Sequence, residues 1–341
     1  MRRYRITLTP PASTSTSSGT TSTTVHPDVV YQSIDSQGNH IAGSLDVTFD
    51  LPVSPFGSVM AGGVVEIPGV SLQTISSAAR YQGWTATISG GMQKGLPLAN
   101  PQQYGFLARG LVQQAFGNWV GTHQSLVLVL TPTPAIPSVD GVANIVMDWK
   151  KGTSMASAIT ATIQRAIPTA KVQNKITSDV ILPYHEAGYY HSIEQFVDVV
   201  KGISLDANKT SGYQGIRIVY TRGVFTLYDT TTSSNSFSIA FNDLLGQPTW
   251  LGPNDSGSVI QIQTVLRGDL DIGNVIKLPT EVSQGYNILS PSSFAPLPKD
   301  RSAMTGNFII NNLRHIGRFR DPNGQAWSTV IGAYPQGTNG K

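Results

Sequence analysis

Apolar and polar residues alternate with a period of two along most of this chain. From Arg2 to Thr9, Tyr4, Ile6 and Leu8 fall on one side, Arg3, Arg5 and Thr7 on the other, and Pro10-Pro11 ends the run. The same alternation, or a short β-branched run, predicts strands over 29–34, 45–53, 64–70, 84–88 and 125–130. Leu72 to Tyr81 has Ile75, Ala78 and Ala79 at helical spacing, enough for one or two turns. Gly90-Gly91 reads as a turn. Phe106 to Val120 is open between a helix and a long or bulged strand, with Gly110 and Gly117 arguing for the strand. Strands recur over 216–220, 224–228, 237–241, 259–266, 275–278, 308–312 and 327–333. In the stretch 237–273, Phe237, Ile239 and Phe241 alternate with polar residues. Gly246, Pro248, Gly252, Pro253 and Gly257 then break the chain, and Ile260, Ile262 and Leu266 share one face.

The period changes in the middle. After a short strand at 145–149, Met155, Ile159, Ile163 and Ile167 recur every four residues, which predicts an amphipathic helix ended by Pro168. Ser192-x-x-Gln195 is a capping box for a second helix with Ile193, Phe196, Val197 and Val200 on its apolar face and Gly202 near its end. Three domains follow: a β domain over 1–135, an α/β domain over 136–210 and a second β domain over 211–341. Each β domain has about seven strands, enough for a barrel. Ser13 to Thr24, almost pure Ser and Thr, reads as a flexible surface loop. The segments 230–236 and 284–304 read as polar loops, and Pro132, Pro134 and Pro137 as a linker. VVEIPG at 64–69 and NVIKLP at 274–279 are faintly alike, which is too little for a duplication.

Composition narrows the class. The chain has 341 residues, and only 13% of them are charged, about half the usual share. A surface so poor in charge points to burial in an assembly. Cysteine is absent, so disulfides and thiolate metal sites are excluded. A formal charge of +3 does not suggest a nucleic-acid binder. No apolar run reaches the roughly 18 residues of a membrane span. MRRYRITLTPPA carries charge without an apolar core behind it, so no secretory signal is expected.

Candidate chemistry is sparse. Tyr184-His185-Glu186 with His191 is the one His/carboxylate cluster, but a spacing of six does not put both histidines on one helix face, and a polar turn before the second helix is the simpler reading. Asp269 and Asp271 suggest an acid/base pair of a glycosidase, but two acids two residues apart are ordinary in a turn. Arg314, His315, Arg318 and Arg320 form a basic cluster suited to DNA, to an acidic partner or to ion pairs along a strand edge. Trp250 and Trp327 read as core aromatics. There is no nucleophile elbow, phosphate-binding Gly-Lys loop or H-E-x-x-H. No catalytic, cofactor or metal residue is assigned, and no cofactor is expected.

Gly246-Gln247-Pro248-Thr249-Trp250, the stretch IQTVLRGDLDIG at 262–273 and Asn307 to Ala333, with Arg314-His315-Ile316-Gly317 and Trp327-Ser328-Thr329, resemble the C-terminal half of central baseplate hub proteins of contractile-tailed bacteriophages. The resemblance is strongest over 212–333. It implies a mainly β chain with two tube-like antiparallel β-barrel domains flanking the helix-containing part. It also implies a homotrimer whose six barrels adapt a sixfold tail tube to a threefold spike. The partners it implies are the tail spike, tail tube or tube-initiator proteins, baseplate wedge proteins and the tape measure protein, with DNA only in transit. The place it implies is the virion tail baseplate, after synthesis in the host cytoplasm. The resemblance implies a structural role rather than an enzyme. Other readings are a receptor- or glycan-binding tail protein and a hub-associated cell-wall hydrolase.

Overall fold

The structure, a computed structural model, describes residues 2–11, 13–17, 20–24, 27–53, 55, 62–93, 103–131, 144–178, 180–210, 213, 215–229, 236–251, 260–279 and 306–336. It is mainly β, with large antiparallel sheets and three α-helices. The N-terminal part contributes β1 (Arg2–Thr9), β2 (Ser13–Ser17), β3 (Thr20–Thr24), β4 (Val29–Gln32), β5 (Thr48–Val53) and β6 (Gly63–Pro68). It continues with α1 (Leu72–Ser76), β7 (Thr85–Met92), β8 (Gly105–Val120) and β9 (His123–Thr131). The middle holds β10 (Ile145–Trp149), α2 (Met155–Ala166), β11 (Lys171–Lys175), β12 (Glu186–Tyr190), α3 (Ile193–Ala207), β13 (Arg217–Thr221) and β14 (Val224–Tyr228). The C-terminal part adds β15 (Ser236–Ser238), β16 (Thr249–Trp250), β17 (Ile260–Val265), β18 (Val275–Lys277), β19 (Asn307–Arg318) and β20 (Trp327–Pro335).

The two β parts, expected as separate barrels, share one hydrogen-bonded path. A 13-stranded sheet runs β16-β17-β20-β19-β5-β6-β9-β8-β7-β1-β4, with β15 and β18 branching from β19. The link is the antiparallel pairing of β19 with β5, from Leu313 opposite Val53 to Arg318 opposite Thr48. β19 can make it because it runs on to Arg318 past Ile309, the last of its residues that pairs with β18, bending at an irregularity near Asn311 where its register with β20 shifts. Bulges bend and twist a strand in this way.

Several expectations change. Gly90 and Gly91 do not turn the chain: they lie inside β7, opposite Tyr4 and Arg3. A Cβ on Gly90 would sit 2.8 Å from the Leu107 side chain and 2.9 Å from that of Leu266, so the position needs close approach rather than a bend. Phe106 to Val120 is the strand of the two alternatives, bulged between Val112 and Gln114. The strand expected at 237–241 stops at Ser238, and Phe241 to Asp243 form a 3-10 turn that leaves Phe241 exposed and Asp243 buried. Gly202 lies within α3, which continues to Ala207. The Ser192 side chain accepts from Gln195 N, while the Gln195 side chain accepts from His191 N rather than from Ser192. The linker prolines, the loop at 284–304 and Gly252, Pro253 and Gly257 lie outside the described residues.

β13 and β14, placed by sequence with the C-terminal part, pair with each other and, through β14, in parallel with β11. Three cores follow this division. One gathers Tyr4 to Leu130 and also takes in Leu266 and Trp327; one runs from Ile145 to Leu227; one joins Val219 and Tyr228 to residues of β17–β20. The middle core buries the Met155, Ile159 and Ile163 stripe of α2 against Phe196 and Val197 of α3.

Ser13 to Thr24, read as a loop, is a two-stranded ribbon, with Ser13 opposite Thr24 and Ser17 opposite Thr20. Threonine is β-branched and favours extended backbone, so a Thr-rich tract makes strands without apolar residues. Among the described strands, β2 and β3 pair only with each other. Deleting Ser15 to Thr23 is therefore expected to move the melting temperature by no more than a few degrees, the response of a large domain to about 1 kcal/mol. A thermal melt of the deletion variant checks this; collapse of the fold would mean that the ribbon pairs elsewhere in the assembly.

Candidate functional site: the seam between the parts

The three parts meet where the chain leaves β17. Leu266 enters the N-terminal core, and Arg267 follows it into the interior with its side chain 6% exposed. Its guanidinium faces two carboxylates. Nε and Nη2 donate to Asp269 at 3.0 and 2.7 Å, and Nη1 reaches Asp243 at 3.4 Å. Asp243 also accepts from Gln103 Nε2 at 2.8 Å, and Gln103 O accepts from Gly268 N at 2.8 Å. The 3-10 turn at Phe241–Asp243 thus has a purpose that the sequence does not advertise: it aims its one buried residue, Asp243, at the buried arginine. Gly105 and Gly268 lie back to back. A Cβ on Gly105 would be 2.4 Å from Gly268 O, and one on Gly268 would be 2.5 Å from Gly105 C. Two backbones approach this closely only where neither carries a side chain.

The middle part reaches the seam through the β13–β14 turn. Arg222 and Gly223 both have positive φ, 55° and 79°, the two-residue turn that matches the twist of a hairpin. Arg222 donates to Gly268 O at 3.2 Å, pairs with Asp271 at 3.1 Å and lies over the Phe106 ring at 5.1 Å. Asp269 and Asp271 therefore face different arginines, Arg267 and Arg222. Neither is placed as one half of an acid/base pair across a cleft.

The basic cluster is also bound within the chain. Arg314 holds Asp50 through Nε and Nη2 at 2.8 and 2.5 Å, across the β19–β5 pairing. That bond raises the Arg314 pKa above its ordinary value. Arg320 donates to Ser44 O at 2.7 Å, and its backbone N donates to Asp46. Arg318 lies 3.8 Å from Asp321. From the other side Arg2 donates to the carbonyls of Arg318, Asp321 and Asn323. The cluster and the N-terminal strand so strap the β19–β20 connection onto β5 and β1.

His315 is the exception in that cluster: it points inward, 1% exposed, with Nδ1 2.9 Å from Thr329 Oγ1. Thr329 Oγ1 also accepts from Arg267 N at 3.0 Å, so His315 is one link from the buried arginine. Burial lowers its pKa from 6.5 to about 3, and the ring is neutral at pH 7. The sign follows from linkage. The unfolded chain takes up a proton below about pH 6.5 and the folded chain does not, so stability is lost as pH falls from there toward 3. The loss is expected to approach about 3 kcal/mol by pH 4. Denaturant melts of the protein and of His315→Gln between pH 7 and 4 check this: the variant should lose the part of the slope that the histidine supplies.

Trp327 crosses the seam as well. It begins β20 yet is buried in the N-terminal core, its Nε1 donating to Gly91 O at 3.0 Å and its ring edge-on to Phe49. Trp250, read as an equal core aromatic, is only partly buried on the two-residue edge strand β16.

His185, Glu186 and His191 do not converge. His185 Nε2 meets Asp148 at 2.7 Å, Glu186 opens β12 opposite Trp149, and the His191 ring packs on Tyr189. The expected polar turn is thus largely strand β12. Among the described residues no group of three His, Asp or Glu is placed to hold a metal ion. A cleft of about 210 Å³ between β7–β8 and the middle part is lined by Arg109, Thr85, Thr169 and Tyr220 and by no acid. No described helix is long and apolar enough to cross a membrane.

No protein-family model matches the chain, and no curated protein matches it. Solved structures do. The 43 kDa tail protein of prophage MuSo2 from Shewanella oneidensis superposes with a TM-score of 0.51 at 7% identity, over 98% of this chain and 97% of that one. A tail protein from Neisseria meningitidis MC58 gives 0.47 at 9% identity, covering 85% of this chain and 96% of its own. The E. coli c3393 protein, a type VI secretion component described as similar to T4 tail proteins gp27 and gp5, gives 0.48 at 12% identity, covering 88% and 76%. The likeness to phage baseplate hub proteins that the sequence carries thus has a counterpart in the structure: over 98% of its length this chain is similar in fold to a prophage tail protein.

Proposed function

We propose that this chain is the central hub of a contractile-tail baseplate, a structural virion protein without catalytic activity. The observation that carries the reading is the match to a prophage tail protein over nearly the full length of both chains. The seam supports it. A subunit that transmits load between a tube and a spike needs its parts joined rigidly, and here the two β parts share a sheet, a tryptophan and the Gln103–Asp243 bond to a buried charge pair, while the middle part is tied to them through Arg222 and the core around Val219 and Tyr228. In this reading the chain has three parts, close to 1–135, 136–210 and 211–341, with the pairing of β14 to β11 extending the middle one to about residue 228. The two β parts act as tube-like barrels. Three chains set six such barrels around one axis, matching a sixfold tube on one side and a threefold spike on the other. Wedge proteins bind outside, and the tape measure and then DNA pass through the channel.

The test is the mass of the native protein. Three chains per particle are expected, either alone or on adding the spike or tube protein. A stable dimer or hexamer of this chain by itself would contradict the reading.

A further inference from the structure

The strands β4, β1, β7 and β8 are neighbours in the sheet and bury only one of its faces. Tyr4, Ile6, Leu8, Ala86 and Ile88 enter the N-terminal core. Arg3, Arg5 and Thr7 alternate with them and stand on the outer face, beside Gly91, Ser89 and Thr87 of β7. β8 continues these rows, with Phe106 opposite Ser89 and Arg109 opposite Thr87. On the other side Gln32 of β4 lies opposite Arg5. Arg3 and Arg5, two residues apart on one strand, are separated by about 7 Å. Arg109 stands two strands across and two residues along from Arg5. None of the four strands contains an Asp or a Glu.

These three arginines are not neutralised within the chain. Arg2, Arg217, Arg222, Arg267, Arg314 and Arg320 each donate to a carboxylate, amide or carbonyl oxygen. Among the described residues, Arg3, Arg5 and Arg109 have no such acceptor. Arg3 lies instead over the Tyr104 ring at 4.0 Å. Gly91 makes room for that tyrosine, since a Cβ there would be 2.6 Å from Tyr104 Cα. The two acids that flank β4 do not pair with the arginines. Asp35 turns into its own loop and accepts from the backbone N of Gln37 and Asn39 at 2.9 and 2.8 Å. Asp28 lies beyond the Leu8–Val29 pair, at the Thr9 end of the sheet.

Two clefts open on this face. One, of about 360 Å³, is lined by Arg3, Arg5, Gln32, Asp35 and Tyr104. The other, of about 210 Å³, holds Arg109, Thr85 and Tyr220. Thr7, Thr87 and Ser89 supply hydroxyls on the rows between them. Guanidinium, hydroxyl and amide donors are the set that contacts phosphate oxygens. Among the described residues, Val30 on the edge strand is the only large apolar side chain exposed on this face. A protein–protein interface is depleted of charge at its centre and enriched there in aromatic residues. A nucleic-acid interface is more polar and much more positive, and this surface matches the second description. The formal charge of +3 for the whole chain hides the concentration, because the acids lie elsewhere.

We infer that the outer face of β4, β1, β7 and β8 binds duplex DNA through its phosphate backbone, without reading its sequence. Arg3, Arg5 and Arg109 each hold a phosphate, and the planar fork of a guanidinium suits two of its oxygens at once. The threonine and serine hydroxyls donate beside them. Binding of this kind is driven by release of counterions from the DNA, so it weakens steeply as salt is added. The inference goes beyond the hub reading and stands on this surface alone.

The test uses the whole chain and two short fluorescein-labelled DNA duplexes of unrelated sequence, followed by fluorescence polarisation across a salt series. The parent protein should bind both duplexes alike at low salt. Arg3→Gln, Arg5→Gln and Arg109→Gln should each weaken both equally and reduce the slope of log K against log salt by about one. The triple variant should lose the binding while keeping the parent's circular dichroism and melting temperature. Arg165→Gln removes an arginine from α2, away from this face, and should leave the affinity and slope unchanged. Polyglutamate, the probe for an acidic protein partner, should bind more weakly than DNA. A parent protein that does not bind at low salt, slopes unchanged in the three variants, an equal loss from Arg165→Gln, or tighter binding of polyglutamate than of DNA would each overturn the inference. The hub reading survives any of these results, since it is judged by where the chain lies in the assembled tail.

Discussion

Replacing Arg267 with alanine is expected to destabilise the protein by about 3–5 kcal/mol, the effect of removing one member of a buried ion pair and leaving the other uncompensated. Two carboxylates face Arg267, Asp243 and Asp269, with side chains only 12% and 20% exposed. Without the guanidinium the two acids lose their shared cation, and Asp243 keeps the Gln103 amide as a donor. The cost should fall on the joint between the parts rather than on one strand, so proteolysis near the seam should accelerate along with the fall in stability. Arg267→Met is the informative companion. It keeps the packing of the stem and isolates the charge, and it should remain within about 1 kcal/mol of Arg267→Ala. Urea melts of the two variants against the parent protein check both values. A loss under 1 kcal/mol for both would show that the seam is not what binds the parts.

Trp327→Ala is expected to cost a similar 3–5 kcal/mol, the range for emptying a large buried aromatic site. The cavity would open between Phe49, Phe319 and the β7 backbone, and Gly91 O would lose its donor. Trp327→Phe should recover most of the packing but not the bond, at about 1–2 kcal/mol. Trp250→Ala should cost only about 1 kcal/mol, because Trp250 lies half-covered at the sheet edge. Chemical denaturation of the three variants gives the order directly. Equal losses at Trp250 and Trp327 would mean that the edge is covered in the folded protein.

These two tryptophans show what the sequence discloses and what it does not. Both follow turn-rich segments, and local pattern gives them the same role. What separates them is the neighbour across the sheet, and that is set by pairings between residues hundreds of positions apart. Alternation located most strands, including Ile260 and Ile262 on one buried face, while Leu266, expected on that face, lies past the strand end in the N-terminal core; the four-residue spacing located α2. It missed β11, where Val172 is the only apolar residue, and β12, whose Glu-Ala-Gly-Tyr-Tyr has no apolar alternation. It missed the seam for a stronger reason. Arg267, Asp243, Gln103 and Arg222 are unremarkable one at a time, and the pairing of Arg314 with Asp50 spans 264 positions. The one local hint was Gly223 between two strands, a residue free to take the positive φ of a tight two-residue turn. The family likeness succeeded where periodicity could not, because it rests on wording such as Arg314-His315-Ile316-Gly317, residues that the coordinates place in the β19–β5 joint.

The most direct test of the central claim is a reconstruction of the assembled tail with this chain located in the density. The hub account expects three copies around the axis at the baseplate centre, between the tube and the spike, each fitted by this fold without separating its two β parts. Density for the chain at the periphery, in a fibre, or in six equivalent copies would contradict it.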